Sequence, residues 1–172
     1  MTILHADGSS SGSPNENSLV VRLDLNGTRV LLMGDAEAGG RQSPTVPPSP
    51  TSIEGTLLTC CASELAAQVL VVGHHGSRTS SRRAFLDAVG AGVFVVSSGP
   101  MKYSGVTLPD PDVVAELTSR GQVFRTDVDD ATCSTNHGED RPRHGRPGWG
   151  MQQLPGRDRR HAGNRSHTVQ RR

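Results

Sequence analysis

The sequence predicts an α/β fold in which strands and helices alternate along one body of chain. Three observations carry that prediction. Two apolar runs of strand length, Val30-Leu31-Leu32-Met33 and Val69-Leu70-Val71-Val72, each stop at a glycine and hand over to polar side chains: Gly34-Asp35-Ala36-Glu37 and Gly73-His74-His75-Gly76-Ser77. An Asn26-Gly27 pair stands between two strand-like segments, the strongest short-range hairpin signal there is. Segments with helical spacing of apolar residues separate the later strands. The body reads as an α/β sandwich: a hairpin, then two strand–helix–strand steps, with no internal repeat.

Thr2 to Ala6 is a short strand candidate, and Asp7 to Glu16, rich in Gly, Ser, Pro and Asn, is a loop. Ser18 to Leu25 alternates, with Leu19, Val21, Leu23 and Leu25 on one face and Arg22 and Asp24 on the other; Thr28 to Met33 is its hairpin partner. Pro44, Pro47, Pro48 and Pro50 make Arg41 to Ser52 a surface loop. Ile53 to Ala67 has helical spacing through Leu57, Leu58, Cys61 and Leu65. The strand Gln68 to Val72 delivers the histidine pair. Ser80 and Ser81 are expected to cap a helix from Arg82 to Val89, with Phe85, Leu86 and Val89 as its stripe and Gly90 as its stop. Gly92 to Ser97 is a buried strand, Pro111 to Arg120 a helix with Val113, Val114 and Leu117 inward, and Gln122 to Thr126 the last strand.

Hydrophobic residues make up 33% of the 172 and aromatics 3%, and the shortage is uneven. From Asn136 to Arg172, nine arginines face Glu139, Asp140 and Asp158, a formal +6 that leaves −5 for the rest of a chain whose total is +1. Residues 1–135 are therefore expected to be the folded domain and 136–172 a disordered basic tail. The tail reads either as an arm for nucleic acid or as chain without a folded role, such as the product of a shifted reading frame; the lack of interleaved aromatics favours the latter. Cys60, Cys61 and Cys133 form no C-x-x-C spacing, and the adjacent pair is not expected to bridge, so neither a disulfide scaffold nor a structural zinc knuckle is indicated. No segment reads as a signal peptide, and none approaches the ~20 apolar residues of a membrane span, so no compartment is assigned.

The residues with chemistry sit at the strand ends. Asp35, directly after a strand and a glycine, would hold its carboxylate at the sheet edge, where it can bridge two cations; the plainer reading is an ordinary turn. Glu37 is either its partner or a loop acid. Of His74 and His75, one is expected to face a metal and the other a substrate oxyanion, because neighbours in an extended chain point to opposite sides; the plainer reading is that one caps a backbone carbonyl and the other is exposed. Gly73 and Gly76 permit close backbone approach. Ser77, Arg78, Thr79, Ser80 and Ser81 add hydroxyls and a cation suited to phosphate or to capping. His5 is isolated and is assigned no function.

Asn15-Glu16-Asn17-Ser18-Leu19-Val20-Val21, Leu31-Leu32-Met33-Gly34-Asp35-Ala36-Glu37 and Val72-Gly73-His74-His75-Gly76-Ser77, in that order, resemble the metallo-β-lactamase-fold hydrolases. Within them they are similar to the hydrolase domain of the ComEC family of competence (DNA-uptake) proteins, over about Met1 to Cys133. The resemblance implies a four-layer αββα sandwich holding one or two zinc or manganese ions. It implies Asp35 as the metal-bridging carboxylate and one of the pair His74 and His75, with His75 preferred, as a ligand of the second metal. It places Asn17 and Ser18 near the site, and together with the residue reading of His74 and Ser77 and with Tyr103 it makes the candidate substrate contacts Asn17, Ser18, His74, Ser77 and Tyr103. The family's His-x-His-x-Asp-His motif belongs to the amino-terminal half of the fold, and the chain's histidines ahead of the tail are His5, His74 and His75. The family's Tyr-Gly-His-Pro-His segment is matched by Tyr103-Ser104-Gly105-Val106-Thr107-Leu108-Pro109-Asp110, without histidine, so Tyr103 or Asp110 would have to take over its contact. The expectation is thus the carboxy-terminal half of a metal-dependent phosphodiesterase or nuclease-like hydrolase, inactive alone, with DNA or another phosphodiester as substrate and an apolar sheet face prone to association. The alternatives are a non-enzymatic truncated product and a basic nucleic-acid-binding module.

Overall fold

A computed structural model describes residues 1–8, 13–99, 102–103 and 105–128. The strands are β1 (Thr2–His5), β2 (Val20–Leu25), β3 (Thr28–Leu32), β4 (Val69–Val71), β5 (Val93–Val96), β6 (Lys102–Tyr103), β7 (Val106–Thr107) and β8 (Gln122–Arg125). The helices are α1 (Ile53–Cys60), α2 (Arg83–Val89) and α3 (Pro111–Thr118), with short 3-10 turns at Pro14–Asn17, Ala62–Glu64 and Gly73–Gly76. Six strands form one sheet in the order β1-β2-β3-β4-β5-β8, and β6 and β7 form a separate hairpin. The fold class is α/β. Asn26 and Gly27 both take positive φ, 49° and 88°, which is the backbone a two-residue turn between twisted antiparallel strands requires.

From β3 onward every neighbour is parallel: β3 to β4, β4 to β5 and β5 to β8. Parallel neighbours need a crossover, and α1, α2 and α3 supply one each. There are therefore three strand–helix–strand steps rather than the two expected; the third is interrupted by the β6–β7 hairpin, whose strands are too short to register in the apolar pattern.

The register assigns each face. Arg22, Leu31, Leu70, Phe94 and Val123 lie in one row across five strands. Leu31, Leu70 and Phe94 are at most 1% exposed and join Leu57, Leu65, Phe85, Leu86, Val113 and Leu117 of the helical layer in one core. Burying each such side chain contributes about 1.5–3 kcal/mol before entropy is counted. Arg22 is the polar member of the row. It reaches the end of the helical layer, where Nη1 donates to the Glu64 carboxylate at 2.6 Å and to the Glu64 carbonyl.

The opposite row runs Ile3, Val21, Leu32, Val71, Val95, Phe124 across all six strands. Leu32, Val71 and Val95 are half-buried by one another, and Ile3 and Phe124 at the two edges are 55% and 57% exposed. The apolar alternation of β2 through Val21, Leu23 and Leu25 therefore belongs to the face away from the helices, not to the helix-covered core.

Three local expectations are corrected. The first helix stops at Cys60 rather than Ala67, because Cys61 leaves helical geometry (φ −142°). Cys60 and Cys61, not expected to bridge, are joined as a vicinal disulfide. Ser80 and Ser81 do not cap α2: the Ser80 hydroxyl donates to the Gly73 carbonyl, and Ser81, with φ 59°, gives its N–H to the Glu54 carboxylate. The stop at Gly90 is as expected, in the left-handed conformation with φ 61°. The basic segment 136–172 lies outside the described residues, and among those residues no helix is long and apolar enough to cross a membrane.

Candidate functional site

The carboxyl ends of the parallel neighbours β3 and β4 lie side by side, so whatever follows each strand is delivered to one edge of the sheet. After β3 the chain turns at Gly34 and Asp35, where the Asp35 N–H is received by the Ser18 hydroxyl at 3.1 Å. After β4 the His74 N–H donates to the Gly34 carbonyl at 2.9 Å, tying the two strand ends together.

The histidine pair is not extended. His74 (φ 46°, ψ 45°) and His75 (φ 55°, ψ 25°) both occupy the left-handed region, where a non-glycine residue costs of order 1–2 kcal/mol. This corrects the extended backbone from which the ring directions were expected. In the left-handed turn their centroids are 6.3 Å apart. Gly76 follows with φ 76° and lies so close to Pro109 that a Cβ would sit 2.6 Å from the proline's own. The Gly76 carbonyl accepts from the Asp110 N–H at 2.9 Å, so the turn is pinned to the start of α3.

Each imidazole has a defined partner. His75 Nδ1 lies 2.6 Å from the Ser97 carbonyl, a pure acceptor, so Nδ1 is a donor there and Nε2 lies on the ring's free side. That Nε2 is 3.5 Å from Asp35 Oδ1, and both side chains are nearly half exposed. His74 is more enclosed: Nδ1 lies 2.7 Å from the Thr79 hydroxyl and 3.0 Å from Glu37 Oε1, and Nε2 is 3.5 Å from Asn15 Nδ2. Asn15 also donates to Glu37 at 3.0 Å.

The structure thus brings Asp35, His75, His74 and Ser18 to one sheet edge. Ser77 is buried, its hydroxyl receiving Arg41 and Thr79. Asn17 ends the 3-10 turn in an exposed position. Tyr103 lies in the β6–β7 hairpin, with its side chain outside the described residues. Asp110 is buried and chelated by Arg41 at 2.7 and 2.9 Å, so its carboxylate is committed to the protein. Thr79 was among the hydroxyls expected beside the site, whereas Arg41 and the Ser97 carbonyl are components that sequence reading missed. Arg41 carries no distinctive spacing, and a backbone carbonyl has no side-chain signature of its own.

A carboxylate oxygen and an imidazole Nε2 whose Nδ1 is held by a carbonyl form a donor pair suited to zinc or manganese. Two donors fall short of the three or four a catalytic ion needs. Among the described residues no group of three or more His, Cys, Asp or Glu is arranged to hold a metal.

Comparison with known proteins adds one relative. Eighty-five residues of the chain are 38% identical to the competence protein ComA of Neisseria gonorrhoeae. The match spans 49% of this chain and 10% of that much longer protein. No protein-family model matches the chain. The similarity links the chain to competence proteins, and that link is the coarse functional statement it supports.

Proposed function

We propose that the chain is part of a metal-dependent hydrolase of phosphodiester bonds, related to DNA-uptake proteins and built like the carboxy-terminal half of a metallo-β-lactamase sandwich. The observation that carries the reading is the approach of His75 Nε2 to Asp35 Oδ1, 3.5 Å, at the ends of adjacent parallel strands, with the far nitrogen of His75 fixed on Ser97. Ser18 orients the Asp35 backbone, and the Ser97 carbonyl keeps Nε2 directed outward from the ring's anchored side. A bound zinc or manganese would supply water activation and stabilisation of the developing oxyanion. Its remaining ligands would come from outside the described residues. The apolar row from Ile3 to Phe124 supports the same reading, since an αββα sandwich covers that face with a second sheet. The similarity to a competence protein supports DNA as the substrate class.

Titrating the full chain with zinc and with manganese, beside Asp35→Asn and His75→Gln, tests the reading. Weak binding lost in both variants, with no turnover of a chromogenic phosphodiester, is expected. Binding untouched by either substitution would sink it. Chelator-sensitive hydrolysis abolished by Asp35→Asn would show that this chain alone completes the site.

A further inference from the structure

The apolar stripe of α1 outlasts the helix itself. Leu57, Cys61 and Leu65 recur every four residues with Leu58 beside them, so the helical pattern runs on to Leu65. Leu57 and Leu65 are both fully buried in the core between sheet and helices. Yet α1 ends at Cys60, and Cys61 stands at φ −142° and ψ 23°. The chain then makes the 3-10 turn Ala62–Glu64, in which the Glu64 N–H donates to the Cys61 carbonyl at 2.9 Å. Ala62, Ser63, Glu64 and Leu65 contain neither proline nor glycine, so they carry no stop signal of their own. The break coincides with the disulfide between Cys60 and Cys61.

That bond and a continuous helix exclude each other. Successive residues of an α-helix are turned by about 100° around its axis, and their side chains do not face one another. A disulfide needs its two β-carbons within about 3.5–4.5 Å. One of the two cysteines must therefore leave helical geometry, and Cys61 is the one that does. Both ends of the segment are anchored: the Glu54 N–H donates to the Glu37 carbonyl and the Ala67 N–H to the Val89 carbonyl, each at 3.1 Å. A change at Cys61 is thereby confined to the few residues before Ala67. Cys60 is exposed and Cys61 half-buried, so a thiolate from solution can reach the bond.

We propose that Cys60–Cys61 is a thiol–disulfide exchange site whose reductant is a dithiol, and that its opening lets α1 continue through Leu65. One thiolate of the reductant attacks the Cys60 Sγ, the S–S bond breaks, and Cys61 leaves as a thiolate that takes a proton from water. The reductant's second thiolate then displaces the Cys60 Sγ in turn. The chain gains two electrons and two protons, and the reductant gives them up and closes into its own disulfide. Freed of the bond, Cys61 returns to helical φ and ψ and joins the stripe between Leu57 and Leu65. Ala62 and Ser63 then donate their N–H groups to the carbonyls of Leu58 and Thr59. The exchange is independent of hydrolysis: a failed metal titration leaves it untouched, and its own failure leaves the Asp35–His75 pair as it stands.

Thiol counting and amide exchange on the full chain test it. Purified without reductant, unfolded in guanidinium and treated with N-ethylmaleimide, wild type is expected to take one adduct, on Cys133. Dithiothreitol applied to the native chain before that step should raise the count to three, with peptide maps placing each adduct. Hydrogen exchange quenched in acid and read by mass spectrometry then compares the two states, whether or not the chain associates. Reduction is expected to slow exchange of the Ala62 and Ser63 amides roughly tenfold or more. Cys60→Ser with Cys61→Ser keeps a similar helix propensity and can form no bond. Without reductant it should exchange like reduced wild type, and dithiothreitol should change nothing. Adducts on Cys60 or Cys61 before reduction overturn the proposal, and so does a bond that dithiothreitol opens only after unfolding. Unaltered exchange at Ala62 and Ser63 in both reduced wild type and the double variant overturns it as well. If the double variant does not fold, reduction of wild type decides alone.

Discussion

The two faces of the six-stranded sheet are made by alternate residues of the same strands, yet they have unlike fates. Leu31, Leu70 and Phe94 vanish beneath three helices, whereas Leu32, Val71 and Val95, one residue along each strand, remain half-buried on a face that ends in Ile3 and Phe124. Both rows are apolar throughout the parallel strands, the composition of a sheet covered on both sides. The difference teaches that, among the described residues, the helices cover one face of the sheet and leave the other without a layer of its own. Along that second row Val21 is buried, Leu32, Val71 and Val95 are half-buried and Ile3 and Phe124 are exposed, and an apolar row without a covering layer favours association.

The largest expected effect follows from that imbalance. Alone, the chain should be oligomeric or insoluble, and Leu32→Glu with Val95→Glu should disperse it without unfolding it. Size-exclusion chromatography with light scattering checks this. A monodisperse wild-type monomer with a sharp cooperative thermal transition would mean that the bare face needs no cover, and the comparison would collapse.

The next effect compares one aromatic from each row. Phe94→Ala empties the covered core and should cost about 3–5 kcal/mol. Phe124→Ala, at an exposed edge, should stay within roughly 0.5 kcal/mol of wild type. Urea unfolding of both variants in the dispersed Leu32→Glu/Val95→Glu background measures the pair, and equal losses would show that the second face is packed in solution.

Much of this architecture is legible in the sequence. Apolar runs closed by glycine placed the strands, Asn26-Gly27 placed the hairpin, and the strand ends named Asp35 and His75. What was not legible has physical causes. The two-residue strands of the β6–β7 hairpin leave no periodic trace. The left-handed geometry of His74 and His75 depends on Gly34, Pro109 and Asp110, which are remote in sequence. Ser80 and Ser81 looked like helix caps because their chemistry suits capping, but a buried carboxylate from α1 claims the Ser81 backbone instead. Arg41 lay in a proline-rich stretch that pattern alone marks as an ordinary loop.

That buried carboxylate gives a third, pH-dependent effect, confined to the covered side. Glu54 is 1% exposed and accepts the N–H groups of Ser81 and Arg82, the latter at 3.1 Å. Burial pushes its pKa from the ordinary 4.5 up to about 7, against the opposing pull of those two bonds and of the Arg82 charge. A folded pKa above the unfolded one means that folding favours the protonated acid. The contribution is full below about pH 4.5 and is lost as pH rises through about 7. Stability should therefore fall between pH 5 and pH 8 by up to about 3 kcal/mol from this group. Glu54→Gln, which cannot titrate, should flatten that slope while leaving one N–H poorly paired. An unchanged slope in denaturant unfolding would show that the acid stays ionised throughout.

The smallest effect has the opposite sign and separates an enclosed acid from one at the rim of the same helical layer. Glu116 on α3 accepts from Arg83 at 2.8 Å and from Arg120 at 2.8 Å, bridging α3 to α2. The Arg83 guanidinium, then that of Arg120, holds its carboxyl down to about 2 against the modest penalty of partial burial. Its folded pKa lies below 4.5, so its contribution is present above that value and is lost as pH falls through about 2. Arg83 is half exposed, and water screens the pair, so Glu116→Gln should cost no more than about 1 kcal/mol at pH 7. The gap between wild type and variant should narrow between pH 4.5 and pH 2, and shrink in 1 M salt at neutral pH. Glu54→Gln should show neither response, since Glu54 is already protonated below pH 4.5 and is buried away from salt. If the Glu116 gap persisted undiminished in high salt, the bridge between α2 and α3 would be an enclosed one, and the division of this layer into a dry interior and a screened rim would be wrong.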